Sequence, residues 1–66
     1  MVVRPGTQLD QLLKFSGLVS TGGEAKIKIQ NGEVKVNNRI EKRRSYKLKE
    51  GDVVTIDGVS LEVKIK

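Results

Sequence analysis

Apolar residues recur at helical spacing in the first quarter of the chain. They lie three or four positions apart with polar residues between them, and the set consists of Leu9, Leu12 and Leu13. This spacing predicts an amphipathic helix from Thr7, whose hydroxyl would cap the first turn, to about Ser16. Phe15 is expected to lie in the core beside the leucines. Gly17 can take the left-handed conformation that ends many helices, after which the chain would turn back into the core.

The segment that follows fits two local structures. Residues 25–37 alternate between apolar and polar on both sides of Asn31-Gly32, a favoured two-residue turn, and this pattern predicts a β-hairpin. The alternative is a short helix over residues 22–30, capped by one of the two hydroxyl residues before it. The buried face of that helix would consist of Ala25 and Ile29. The helix would leave Ile27 pointing away from this face, so the local pattern alone leaves both structures open.

Beyond this segment, apolar and polar residues alternate as they do in β-strands. The strands are expected at residues 33–37, from Ile40 through Tyr46 and Leu48, at residues 53–56 and at residues 59–66. Asn, Asp and Gly accept the positive φ that tight turns require. The turns are therefore expected at Asn37-Asn38, at residues 49–52 and at Asp57-Gly58. Residues 59–66 show the clearest half-buried alternation in the chain.

Composition excludes several classes of site. The chain has 66 residues, near the lower limit for a domain without disulfides or metals, and it contains no Cys and no His. It therefore lacks thiolate ligands and the usual general base, and we expect no metal and no cofactor. Asp10 and Glu24 are expected in helix first turns, and Asp52 and Asp57 in turns beside glycines. Because no nucleophile and base can be paired, we expect no enzymatic activity.

The chain is interpreted as one domain over residues 1–66. Residues 1–6 are expected to form a flexible arm that ends at Pro5-Gly6. This arm has too few apolar residues for a signal peptide or a membrane span. We expect a soluble, cytoplasmic protein that does not bind membranes.

The chain is basic, with 13 Lys and Arg against 8 Asp and Glu, a net charge of +5 and a pI near 9.8. The cations concentrate in one segment, the cationic loop, which we define as Lys42, Arg43 and Arg44 with Arg39 and Lys47 at its flanks. Such a concentration suits phosphate, although the same run could protect an edge strand from pairing with other chains. Both aromatic residues are expected in the core. A nucleic-acid partner would therefore be recognised by shape and phosphate and not by stacking of single-stranded bases.

Four short motifs resemble those of a known RNA-binding family. They are Leu9-Asp10-x-x-Leu13-Lys14, Ser20-Thr21-Gly22-Gly23-Glu24-Ala25-Lys26, Gly32-x-Val34-x-Val36-Asn37 and Gly51-Asp52-Val53-Val54. In this order and spacing they resemble the domain first defined in ribosomal protein S4, over about residues 9–58. Residues 22–26 and the Arg43-Arg44 pair further resemble the small stand-alone bacterial members. The resemblance implies an α+β fold in which two short N-terminal helices pack on a small bent antiparallel sheet, and it favours the helix at residues 22–30.

The resemblance also implies a function and a set of site residues. The family binds structured RNA, typically ribosomal or transfer RNA, through its helices and the adjoining turn. Carried over by position, the RNA-binding residues would be Lys14, Thr21, Lys26, Asn37, Asn38 and Arg39, extended by Lys42, Arg43, Arg44 and Lys47. Two positions depart from the family pattern: Gln8 stands where many members have Arg, and Asn38 stands where Gly is commoner.

The expected function is non-catalytic binding of structured RNA by a monomer. The ligand would be ribosomal RNA or a ribosome-assembly intermediate, and ribosomal particles are possible partners. The alternatives are a basic adaptor that docks on an acidic protein and, if the hairpin forms, a purely β barrel module. RNA competitors of different shape would separate the first alternative from RNA binding.

Overall fold

Two helices and six short strands make up the structure, a computed structural model that describes residues 1–66. The helices are α1 (Leu9–Phe15) and α2 (Gly22–Gln30). The strands are β1 (Val2–Val3), β2 (Val34–Val36), β3 (Arg39–Ile40), β4 (Val53–Ile56), β5 (Val59–Glu62) and β6 (Lys64–Ile65). An antiparallel sheet has the strand order β3-β2-β4-β5, and β1 pairs with β6 in a separate parallel ribbon. The helices and the four-stranded sheet share one core of 13 buried apolar residues, so the expected α+β class is confirmed.

Helix α1 starts two residues later than predicted, and its cap is different. Gln8 is the N-cap, and its backbone N–H donates to Gln11 Oε1 at 3.0 Å. The prediction that Thr7 caps the helix is wrong, because the buried Thr7 hydroxyl instead donates to the Arg4 carbonyl oxygen at 2.7 Å. The three leucines are fully buried as predicted, and Gly17 has a φ of +78°.

The prediction that Phe15 lies in the core is also wrong. Its exposed fraction is 64%. At about 100° per residue, Phe15 is rotated roughly 110° from the centre of the face formed by Leu9, Leu12 and Leu13. The helix therefore presents this ring to solvent at its last residue.

Residues 22–30 form helix α2, so the hairpin interpretation is wrong and the helix is confirmed. The Thr21 hydroxyl accepts the Glu24 N–H at 3.1 Å and caps the helix. Ala25 and Ile29 are fully buried one turn apart, while Ile27 is 60% exposed. Helix α2 packs on α1, and this burial outweighs the local preference for alternation. The alternating pattern was misleading because it shows only which residues are apolar. One of these apolar residues, Ile27, stays exposed to solvent.

The central strands of the sheet bury alternate residues against the helices. Val34 pairs with Ile56 and Val36 with Val54 across β2 and β4, and all four are buried. Tight turns join β2 to β3 at Asn37-Asn38 and β4 to β5 at Asp57-Gly58. All four turn residues have positive φ, as predicted.

Two of the expected strands are not continuous. The return strand ends at Ile40, and between residues 41 and 52 there is only an isolated bridge from Lys47 to Gln8. The Glu41 N–H still donates to the Val34 carbonyl oxygen of β2, but the backbone of residues 44–49 bonds to the start of α1, to Arg43 and to the Asp52 side chain. The strand expected at residues 59–66 is interrupted at Val63, whose N–H donates to the Asp52 carbonyl oxygen at 2.8 Å. That break directs β6 away from β5 and toward β1.

The N-terminal residues differ from the expected flexible arm. Val2 and Val3 form β1, in register with Lys64 and Ile65 of β6, and Val3 is buried in the core. The pairing is possible because β6 leaves the main sheet with a free edge. Residues 1–6 therefore carry part of the fold.

Candidate nucleic-acid interface

The cationic loop is fastened to the start of α1 by its backbone. Three hydrogen bonds join them: Leu48 N–H to Thr7 O (2.9 Å), Leu9 N–H to Tyr46 O (2.8 Å) and Asp10 N–H to Arg44 O (3.2 Å). The side chains of Arg44 and Lys47 stay exposed. The backbone of the loop is therefore fixed beside the helix and positions its cations there, although the loop forms no strand of its own.

Arg43 differs from its neighbours because it is already engaged. Its Nε donates to Glu41 Oε2 at 3.0 Å, and its guanidinium lies 5.7 Å from the centre of the Tyr46 ring, within cation–π distance. The hydrogen bond from Arg43 lowers the pKa of Glu41 and raises that of Arg43. Lys42 and Arg44 form no ion pair, so they are the freest cations of the three.

Lys42 and Ile40 lie against the end of α2. A Cβ placed on Gly32 would be 3.5 Å from Ile40 Cγ2 and 3.8 Å from Lys42 Cε. Gly32 also has a φ of +78°, which favours glycine at the end of a helix. This contact brings the cationic loop close to α2 as well as to α1.

The turn between β2 and β3 is stabilised by hydrogen bonds of the Asn37 side chain. Asn37 Nδ2 donates to Asp52 Oδ1 at 2.9 Å, and Asn37 Oδ1 accepts the Val53 N–H at 2.9 Å. Both ends of the Asn37 amide are thus used within the protein, so Asn37 positions the turn. Asn38 in the turn and Arg39 at the start of β3 are exposed and free to contact a ligand.

Asp52 is the buried centre of a polar network that could not be identified from the sequence. Besides Asn37, its carboxylate accepts the Tyr46 hydroxyl and the Lys49 N–H, both at 2.9 Å. Burial alone would raise the pKa of Asp52, but these three hydrogen bonds outweigh it and hold the pKa below its ordinary value. Burial and the bond to Asp52 raise the pKa of Tyr46. The network ties the Asn37-Asn38 turn to the end of the cationic loop.

The predicted RNA-binding residues on and beside the two helices include fewer cations than the cationic loop. Lys14 lies in the last turn of α1, Lys26 lies on α2, and both are exposed without an ion pair. Thr21 is occupied as the cap of α2, and Glu24 Oε1 accepts the Ser20 N–H at 2.7 Å. A carboxylate therefore already lies at the start of α2, where it opposes the approach of a phosphate.

The remaining cation of α2 is neutralised. Lys28 Nζ lies 3.0 Å from Asp57 Oδ2 in the turn between β4 and β5. This hydrogen bond raises the pKa of Lys28. The free cations consequently lie mainly on the cationic loop and on the exposed helix positions.

An open groove beside α1 was also missed. It has a volume of about 420 Å³ and is lined by Met1, Val2, Val3, Arg4, Thr7 and Phe15. The groove could not be predicted because residues 1–6 were expected to be an arm and Phe15 was placed in the core. The only available signal was the helical position of Phe15 relative to the leucines.

Neither helix is long and apolar enough to cross a membrane. No group of three or more carboxylates is arranged to hold a metal ion.

Known proteins provide an independent comparison. "Putative RNA-binding protein YbcJ" of Escherichia coli (strain K12) is 39% identical over 59 residues, which cover 89% of this chain and 84% of that protein. "Probable ribosome maturation protein RlbA" of Bacillus subtilis (strain 168) is 44% identical over 50 residues, covering 76% of this chain and 70% of that protein.

The solved structures give the same fold. The solution structure of E. coli YbcJ, described as revealing an αL motif involved in RNA binding, matches with a TM-score of 0.69 and 34% identity. The match covers 96% of this chain and 85% of YbcJ. A family model described as S4 domain matches residues 4–64. The expected fold and the absence of enzymatic activity in this family are confirmed, and the chain belongs to the S4 domain family.

Proposed function

We propose that this protein binds structured RNA without catalysing a reaction, and that its ligand is ribosomal RNA in a ribosome-assembly intermediate. The observation that carries the proposal is the cationic loop, whose backbone is fastened to α1 while its Lys42, Arg44 and Lys47 side chains remain exposed. The names of the E. coli and B. subtilis relatives support RNA as the ligand class and ribosome maturation as the process. The protein would act as a monomer in the cytoplasm.

The residues of the site would have different roles. Lysines offer mobile point charges, whereas arginines offer planar forks that grip two phosphate oxygens. Phosphate contacts are therefore assigned to those predicted site residues that are exposed, unpaired cations: Lys14, Lys26, Arg39, Lys42, Arg44 and Lys47. Arg43 is pre-ordered by Glu41 and Tyr46, and Asn38 can donate from the turn. Asn37 and Thr21 hold the backbone that presents these groups.

Affinity and selectivity would come from different sources. Neutralised phosphates release counterions, which gives affinity that falls with salt. The backbone of the cationic loop and the Asn37-Asn38 turn are held in place by hydrogen bonds. The hydrogen-bond donors on them therefore have a preset arrangement, which selects RNA by shape. No aromatic platform is needed for this mode.

Binding to ribosomal RNA, transfer RNA and a duplex of equal charge, measured by anisotropy across a salt series, tests the proposal. We expect preference for ribosomal RNA and a log-log slope equivalent to roughly three to six phosphate contacts. Equal, weak binding of all three that disappears with salt would contradict it. Displacement of the RNA by polyglutamate at matched charge would instead favour an acidic protein as the partner.

A matched pair of variants locates the surface. Arg44→Ala should weaken RNA binding several-fold and reduce the salt slope by about 1, because one phosphate contact is lost. Lys35→Ala removes the same charge from the sheet face opposite the buried Val34 and Val36, and should have little effect. Both variants should keep the wild-type midpoint of thermal unfolding, since both side chains are exposed. Equal losses of affinity in the two variants would show that the basic charge acts without a defined site.

A further inference from the structure

Phe15 is a large aromatic side chain that the fold leaves in solvent. It is 64% exposed at the last residue of α1, directly after the exposed cation Lys14. Its ring forms one wall of the open groove beside β1. Because the ring is not used in the core, it is available to a ligand.

The other walls of the groove are apolar with one cation. Met1, Val2 and Val3 supply apolar surface, and Arg4 is the only charged side chain in the lining. The Arg4 backbone is held in place because its carbonyl oxygen accepts both the Thr7 hydroxyl at 2.7 Å and the Thr7 N–H at 3.2 Å. No carboxylate lines the groove, so its chemistry suits a flat apolar surface that carries negative charge at its edge.

We propose that this groove is a stacking site for one unpaired base of the bound RNA. The proposal rests on the proposed function and adds a specific contact to it. The Phe15 ring lies against the face of the base, Val2 and Met1 cover its edge, and the Arg4 guanidinium binds the phosphate attached to that nucleotide. The site therefore selects RNA in which a paired stem is interrupted by a base free to leave the helix.

Three observations favour a nucleotide as the occupant. The single charged wall residue is a cation, which complements phosphate. The groove adjoins the cationic loop through Thr7, a lining residue whose carbonyl oxygen accepts the Leu48 N–H at 2.9 Å. Its volume of about 420 Å³ lies at the lower end of the range for small-ligand sites, which suits a single base.

The test compares two stem-loop RNAs. One has a single bulged adenosine, and the other is identical except for an abasic sugar at the bulge, so the phosphates are equal in number. Wild-type protein should bind the adenosine RNA roughly 5- to 100-fold more tightly, because stacking of one base on an aromatic side chain has this magnitude. Phe15→Leu keeps an apolar side chain but loses the ring, and should bind both RNAs as weakly as wild type binds the abasic one.

Two further variants serve as controls. Phe15→Trp retains an aromatic face and should keep the preference, and because the chain has no other Trp, its fluorescence should be quenched by the adenosine RNA only. Val59→Ala changes another exposed apolar side chain, on β5, and should leave both affinities unchanged. All three variants should unfold at the wild-type temperature.

The outcomes separate the two proposals. Equal wild-type affinity for both RNAs, or a full preference retained by Phe15→Leu, would overturn the stacking site while RNA binding stands. If the wild-type protein binds neither RNA nor ribosomal RNA, both proposals are overturned. Loss of the preference in Phe15→Leu, with binding of the abasic RNA intact, supports the stacking site.

Discussion

Two tight turns of this protein share a backbone geometry but serve different purposes. The φ values are 54° and 68° at Asn37-Asn38, and 52° and 76° at Asp57-Gly58. In the first turn, the Asn37 side chain hydrogen-bonds the carboxylate of the buried Asp52 and the Val53 N–H. In the second, Asp57 points outward.

The surroundings explain the difference. The side chain of Asp57 is 53% exposed and pairs only with Lys28, so solvent screens this ion pair. Asp52 is 6% exposed and its side-chain hydrogen bonds are part-buried, so losing one of them costs more than losing the exposed ion pair. The same local sequence signal therefore produces a rigid support for the candidate interface in one place and a simple connection in the other.

Asp52→Ala should cause the largest change, because it leaves the Asn37 amide, the Tyr46 hydroxyl and the Lys49 N–H without their acceptor. We expect a loss of about 2–4 kcal/mol in the free energy of unfolding, measured by urea denaturation. RNA affinity of the folded protein should fall as well, because the end of the cationic loop is released. An unchanged free energy of unfolding would mean that the first turn contributes no more to stability than the second.

Asn37→Ala tests the turn itself. It removes two hydrogen bonds and places Ala at a φ of 54°, so about 1.5–3 kcal/mol of stability should be lost. Asn38→Gly is the matched change at the neighbouring position, where the side chain is exposed and glycine accepts the φ of 68° without strain. Its unfolding midpoint should stay near that of wild type. Similar losses in both variants would contradict the assignment of the supporting role to the Asn37 side chain.

The pH dependence of stability should report on Asp52. The pKa of Asp52 lies below its ordinary value in the folded protein, so its stabilising contribution is complete above the unfolded pKa of about 3.9. The contribution is lost as the pH falls through the lower, folded value. Denaturation curves between about pH 6 and 2 should therefore show stability decreasing with acid, and Asp52→Asn should flatten this decrease. A variant that keeps the full wild-type slope would assign the titration to other carboxylates.

Lys28→Gln should have the smallest effect. It removes the exposed ion pair to Asp57 without altering the backbone of the second turn. The thermal midpoint should stay within experimental error, and added salt should not change the comparison with wild type. A clear decrease in the thermal midpoint would mean that the second turn stabilises the fold as the first turn does.

Much of the fold could be predicted from the sequence. The leucine spacing located α1, and the glycine, asparagine and aspartate positions located the turns at Asn37-Asn38, at residues 49–52 and at Asp57-Gly58. The turn at Arg44-Ser45 lies inside an expected strand and was not predicted. Local alternation favoured a hairpin at residues 25–37, and only the family resemblance favoured the helix. Tertiary burial of Ala25 and Ile29 decided this segment, and a local pattern cannot contain that information.

The candidate site was less accessible to prediction. The cations could be read from the sequence, but their partners could not, because Glu41 and Asp57 neutralise Arg43 and Lys28 through side-chain geometry. The Asp52 network joins partners 3, 6 and 15 residues away in the chain, and an aspartate in a turn gives no sign in the sequence that it will be buried. The groove at Phe15 depends on β1, whose pairing with β6 is set by the break at Val63.

The pairing of β1 with β6 has a kinetic consequence. It joins the two extremes of the sequence, so its formation closes the longest loop in the molecule and costs the most chain entropy. With only two residues in each strand, little is gained in return, and this ribbon should detach well before the rest of the protein unfolds. The amides of Lys64 and Lys66, which donate to Met1 and Val3, should then exchange with deuterium earlier than the amide of Asn37. Since β1 forms a wall of the groove, the shape of that site would be set by the fastest opening motion in the fold.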